Sequence, residues 1–92
     1  MASKIITTIA TGQAVSDKDI YVKSVELVAG PSNDAVVNIY GNGAETIRIA
    51  AAKGTSMQIQ SSKGTNDFDA QHVQGPVTAD LSGAGAWLKI NY

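Results

Sequence analysis

AVVNIYGNGAETIRIA, residues 35–50, is the stretch on which the fold turns. Before its Gly-Asn-Gly turn, Val37 and Ile39 alternate with Val36, Asn38 and Tyr40; after it, Ile47 and Ile49 alternate with Thr46, Arg48 and Ala50. A period of two marks a strand with one buried face. A two-residue Asn-Gly turn is the usual hairpin signal, but it would set Ile39 against Thr46. A five-residue loop, residues 41–45, sets Ile39 against Ile47 and Val37 against Ile49. Asn38 then opposes Arg48 and Tyr40 opposes Thr46 on the outer face. The longer loop is the expectation; the alternative is that the two strands cross between sheets, as Greek-key connections do.

The same alternation recurs along the chain. Strands are predicted over residues 4–9, 20–28, 35–40, 46–50, 56–60, 68–73, 77–81 and 86–91, separated by clusters of Gly, Ser, Asn and Asp. Nine Ile and eight Val against three Leu, with seven Thr, suit pleated surfaces better than helices. No segment keeps an i, i+3, i+4, i+7 pattern. Eight short strands at roughly ten-residue spacing imply an all-β sandwich or barrel. The expectation is a single-domain antiparallel β-sandwich over residues 1–92, jelly-roll or immunoglobulin-like. Residues 1–16 form either its first strand or an N-terminal arm that adds a strand to a neighbour. Lys-Gly-Thr occurs twice, at 53–55 and 63–65, and reads as repeated turn chemistry.

Two segments need a side-chain phase argument. In VTADLSGAGAWLKINY, residues 77–92, a hairpin turning at Ala84-Gly85 pairs Leu81 with Leu88, Ala79 with Ile90 and Val77 with Tyr92. Every pair on that face is apolar, while Asp80 opposes Lys89 and Ser82 opposes Trp87 on the other. A one-residue slip mixes both faces. Trp87 is therefore predicted to point outward and Tyr92 to close the core face. In DIYVKSVELVAG, residues 19–30, Ile20 and Val22 share one parity and Val25 and Leu27 the other. A bulge or bend at Lys23-Ser24 resets the phase and turns Val28 outward.

Composition narrows the function classes. Ninety-two residues bury only about 60–65% of the unfolded surface, and no Cys is present to add disulfide or thiolate-zinc staples. Association with copies or partners is the expected source of further burial. Net charge is −1, and the seven cations are scattered, which argues against nucleic acid. No apolar run approaches the roughly 20 residues that span a bilayer, and Thr7, Thr8 and Thr11 interrupt the N-terminal apolar stretch that a leader peptide would need. The chain reads as mature sequence made in a reducing cytoplasm.

Catalytic and metal motifs are not found. His72 is the only His, no Gly-x-Ser-x-Gly elbow occurs, and strands follow the Gly-rich turns where a phosphate loop needs a helix. His72 is expected to be a solvated surface residue. Asn66, Asp67 and Asp69, and Asp17 with Asp19, are acidic clusters short of the six to eight oxygens calcium takes. No cofactor, metal or catalytic residue is assigned, and no enzyme is expected. Trp87, Tyr40, Val36, Tyr21 and Val28 remain as outward candidates for an interface, Trp and Tyr being enriched at binding hot spots.

Four stretches carry a family resemblance: VKSVELVAG at 22–30, VNIY at 37–40, AAKGTS at 51–56 and GAGA at 83–86. Together, over residues 21–92, they resemble small structural proteins of tailed bacteriophage virions. The resemblance implies a non-enzymatic virion component made in the host cytoplasm. Within that group it implies a capsid decoration or cement protein. Such a protein would bind the assembled head, bridge subunits of the major capsid protein and assemble as a homo-oligomer, a trimer by preference. A tail, neck or receptor-binding tip protein would share the fold. A carbohydrate-binding module would need several coplanar rings, and this chain has five aromatics in all.

Overall fold

The computed structural model describes residues 3–60 and 71–92. Among these residues ten strands run β1 (Ser3–Ile6), β2 (Gln13–Ser16), β3 (Ile20–Val22), β4 (Ser24–Val28), β5 (Ala35–Gly41), β6 (Ala44–Ala51), β7 (Ser56–Gln60), β8 (Gln71–Val73), β9 (Val77–Ser82) and β10 (Trp87–Asn91). One four-stranded sheet, A, has the order β1-β10-β4-β7; the other, B, has the order β2-β9-β5-β6; β3 and β8 form a separate two-stranded ribbon. All pairings are antiparallel. The all-β sandwich expected from the strand spacing is present.

The order has a simple origin. β5 pairs with β6, β4 with β7, β3 with β8, β2 with β9 and β1 with β10. These five pairs are nested about one central turn, like a long hairpin folded over on itself. The second and fourth of the nested pairs, counted from the outside, fall with the innermost and outermost into alternate layers: β1–β10 and β4–β7 in sheet A, β2–β9 and β5–β6 in sheet B. Lateral pairing of β10 with β4 and of β9 with β5 then closes each sheet. This rolled ribbon is the jelly-roll arrangement.

The central turn answers the problem posed by residues 35–50. Val37 opposes Ile49, Asn38 opposes Arg48 and Ile39 opposes Ile47, as the apolar match requires. The five-residue loop does not form. Gly41 pairs with Ala44 across a two-residue Asn42-Gly43 turn, with φ of 50° and 82°, both positive as the tight hairpin turn demands. Tyr40 opposes Glu45, not Thr46, and the register shifts between Ile39 and Tyr40. One extra residue, taken up as a bulge at Thr46, lets the tight turn and the apolar register coexist.

The terminal hairpin is a correction of another kind. β9 and β10 do not pair; they lie in opposite sheets, joined by a turn in which Ala86 N–H donates to the Gly83 carbonyl at 3.0 Å. Leu81 opposes Val37, Leu88 opposes Leu27, and Lys89 meets Glu26, not Asp80. The predicted faces nevertheless hold. Val77, Ala79, Leu81, Leu88 and Ile90 are all buried, because each strand turns its own alternate apolar residues toward the one core that lies between the two sheets. Tyr92 packs against the core partly buried, without a partner at Val77.

Two more boundaries differ. The predicted strand 20–28 is two strands: Lys23 is where the chain leaves the β3–β8 ribbon for sheet A, and its N–H donates to the Asn91 carbonyl at 2.7 Å. The phase change there is a switch of sheet. β2 forms within what the sequence reads as a turn. Its Val15 is buried, and a register shift lies between Ala14 and Ser16. β1 and β2 both pair within their own chain, so residues 3–16 supply strands to this sandwich. The predicted strand 68–73 is seen only as β8; its first part lies outside the described residues, as does the second Lys-Gly-Thr.

The core is apolar throughout, with no buried polar or charged side chain among the described residues. Leu27, Val25, Leu88 and Ile90 from sheet A meet Val37, Ile39 and Ala79 from sheet B, all essentially inaccessible. At one end the 83–86 turn lies against the loop that precedes β5. Gly83 has φ +103°, and a Cβ there would sit 2.9 Å from Ala35 Cα and overlap the Asp34 carbonyl oxygen. Gly83→Ala is therefore expected to cost roughly 2–4 kcal/mol, from backbone strain plus the overlap, read as a lower midpoint in urea unfolding at unchanged slope.

Candidate functional site

The five outward candidates fall on three separate surfaces. Trp87 and Val28 come together: they are directly opposed on β10 and β4, on the outer face of sheet A. Trp87 keeps 36% of its surface exposed and Val28 is half-buried. Tyr40 and Val36 lie on β5, two positions either side of Asn38, on the outer face of sheet B and so on the opposite side of the sandwich. Tyr21 sits on the β3–β8 ribbon, 54% exposed. No single patch holds them all.

A residue that the sequence reading did not single out completes the first surface. Ile5 on β1 is in register with Lys89 and is 57% exposed. It therefore shares the outer face of sheet A and lies diagonal to Trp87. Its signal was the doublet Ile5-Ile6: on a strand, adjacent residues face opposite ways, so one of the two had to face water. Ile6 is the buried one. Trp87, Val28 and Ile5 thus make an apolar cluster, bordered by the directly opposed Lys89 and Glu26 and by Ser56 beside Val28. An aromatic centre with a polar rim is the anatomy of a protein-binding patch.

The outer face of sheet B has a different character. Asp80, Asn38 and Arg48 form one row across β9, β5 and β6. Thr78, Tyr40 and Glu45 form the next. Asp80 Oδ1 also accepts from the Gly12 N–H at 2.7 Å, holding the loop before β2 onto the sheet. The Tyr40 hydroxyl is pushed above its ordinary pKa by desolvation first, then by the neighbouring Asp80 and Glu45 carboxylates, with Arg48 opposing. Tyr40 thus stays neutral and paired to its own sheet. Nothing about that row prepares it for an apolar partner.

Around Tyr21 the side chains are tied to each other. Its ring lies 5.1 Å from the His72 ring, tilted by 41°, and His72 Nε2 lies 3.2 Å from Asp19 Oδ2. Asp19 Oδ1 accepts from the Gly75 N–H at 2.8 Å. His72 is exposed, as expected, and its carboxylate neighbour was not foreseen because 53 residues separate the two. An open groove of about 640 Å³ runs beside this cluster between Tyr21 and Tyr92, with Lys18 and Lys23 on its walls. Among the described residues no three His, Asp or Glu side chains converge, and both Asp19 oxygens have hydrogen-bonding neighbours of their own. Asn66, Asp67 and Asp69 lie outside the described residues. Among the described residues no helix is long and apolar enough to cross a membrane.

No family model matches the chain, and no curated protein matches it.

Asp19 gives a pH test of this corner. The Gly75 N–H, then His72, hold its carboxyl below the ordinary value of 3.8. A depressed folded pKa contributes stability that is present above the ordinary value and is lost as pH falls through the folded one. Thermal unfolding followed from about pH 6 down to about pH 2 should show a small acid-side loss that Asp19→Asn removes. An identical profile for the variant would mean the carboxylate adds nothing to the fold.

Proposed function

We propose that this chain is a non-enzymatic structural protein of a phage virion, a decoration or cement protein that docks on the assembled head through the outer face of sheet A. One observation carries the docking surface: Trp87 opposes Val28 with Ile5 diagonal to them, on a four-stranded sheet whose other face packs on the core. A rigid sheet presents such side chains with little ordering cost on binding. The virion itself comes from the sequence resemblance over residues 21–92. The rolled sandwich is compatible with it, since viral capsid proteins use the same arrangement, but lectins do too, and fold alone does not fix function.

The mechanism is passive. A decoration protein adds non-covalent contacts across subunit junctions, and symmetry repeats each small gain over the shell. Trp87 would fill a pocket or seam of the major capsid protein, with Lys89 and Glu26 setting orientation at the rim. A tail, neck or tip protein would use the same patch on a different partner, and its place in the particle separates these readings.

Mass spectrometry of purified particles should find the chain in many copies per virion, and cryo-electron microscopy should place it on the head with sheet A facing the shell. Re-addition to heads that lack it should fail for Trp87→Ala, with about thirtyfold weaker binding for the loss of a hot-spot aromatic and an unchanged circular dichroism spectrum. Absence from particles would overturn the virion reading. Full binding by Trp87→Ala would overturn the docking face alone.

A further inference from the structure

Among the described residues the sandwich has four sheet edges, at β1 and β7 in sheet A and at β2 and β6 in sheet B. An edge strand offers unpaired backbone N–H and C=O groups to any passing strand, and proteins protect such edges with charges, bulges or shortness. Three of the four edges here are protected. β1 has four residues and places Lys4 in register with buried Ile90, an inward-facing charge. β2 has four residues and a register shift. β6 carries Glu45 and Arg48 and the bulge at Thr46.

β7 has none of these devices. Its sequence, Ser-Met-Gln-Ile-Gln, contains no charge, Pro or Gly, and its register with β4 runs unbroken over five residues. Met57 pairs with Leu27 and Ile59 with Val25, two fully buried residues, so Met57 and Ile59 belong to the core-facing side of the sheet. Yet Met57 is 47% and Ile59 40% exposed. These are core positions that the described residues leave half open.

We propose that β7 pairs antiparallel with the β7 of a second copy, about a two-fold axis centred on Gln58. The segment is self-complementary in that register. Ser56 meets Gln60, Met57 meets Ile59 and Gln58 meets its own mate, so that apolar residues oppose apolar ones on the inner face. Absence of charge removes the repulsion that would otherwise accompany two identical edges. The pairing extends sheet A from four strands to eight and shelters Met57 and Ile59 of both copies between them. It uses a sheet edge and not the Trp87 face, so it stands or falls apart from the docking reading, and it calls for a two-fold contact where the resemblance implies a trimer.

Sedimentation velocity of the full chain across a dilution series tests this. The expected result is a monomer–dimer equilibrium that Met57→Lys and Ile59→Lys each weaken by at least about tenfold, through the lost apolar contact, with circular dichroism unchanged. Because the chain has no Cys, single-cysteine variants test the register independently. Gln58→Cys should oxidise readily to a disulfide-linked dimer, since directly opposed strand residues lie within disulfide reach, whereas Ser56→Cys should not. Should a lysine variant fail to fold, the cysteine pair decides. A monomeric or trimeric wild type, a dimer indifferent to both lysines, or equal cross-linking at 56 and 58 would overturn the proposal.

Discussion

The whole structure depends on the register of β5 against β6. Val37–Ile49 and Ile39–Ile47 are the innermost of five nested pairs, closed by Asn42-Gly43. Every other strand lies outside that pair in sequence and finds its mate at a longer separation, up to Ser3 with Asn91. Closing each successive pair costs chain entropy that grows only slowly with loop length once the inner pair is fixed. A slip of one residue in the centre would turn Val37 and Ile39 to water and leave β9 facing the wrong side of β5. The bulge at Thr46 matters for that reason. It lets the turn adopt its preferred two-residue form without moving the isoleucines off their partners.

Alternation in a sequence reports which face of a strand meets the core, not which strand lies beside it. That is why the faces of residues 77–92 were legible although their pairing was not. Val77, Ala79 and Leu81 look inward from sheet B, Leu88 and Ile90 look inward from sheet A, and each set alternates within its own strand whichever strand lies beside it. Nothing local distinguishes a hairpin from a corner that crosses the sandwich. The decisive fact is the fit of Gly83 over Asp34 and Ala35, a contact between distant segments. Similarly, the phase change at Lys23 showed that the chain bends there, but not that it leaves one sheet for another. β2 was hidden because a single buried residue, Val15, sits among Gly, Ser and Asp.

The same logic separates what could be known of the surface. The outward position of Trp87 followed from parity, and its neighbour Val28 from the phase reset. Their meeting did not, because β10 and β4 pair across 59 positions of sequence between Val28 and Trp87. Nor could parity show that Met57 and Ile59 are half uncovered. They alternate as core residues do, and only the sheet order puts them at an edge. Exposure of a core-facing residue is a property of topology, and the sequence of one strand does not contain it.

Face and edge are linked by symmetry. A two-fold that pairs antiparallel strands edge to edge runs perpendicular to the sheet, so the outer faces of both copies of sheet A would point the same way. Two Trp87–Val28–Ile5 clusters would then lie on one side of an eight-stranded surface, with both polar Asp80–Asn38–Arg48 rows on the other. Such a pair would engage a repetitive partner at two points, and the second contact, held near its target by the first, would form at high effective concentration. A modest patch could then hold firmly on a shell that offers matching sites at the right spacing, yet bind weakly to an isolated subunit.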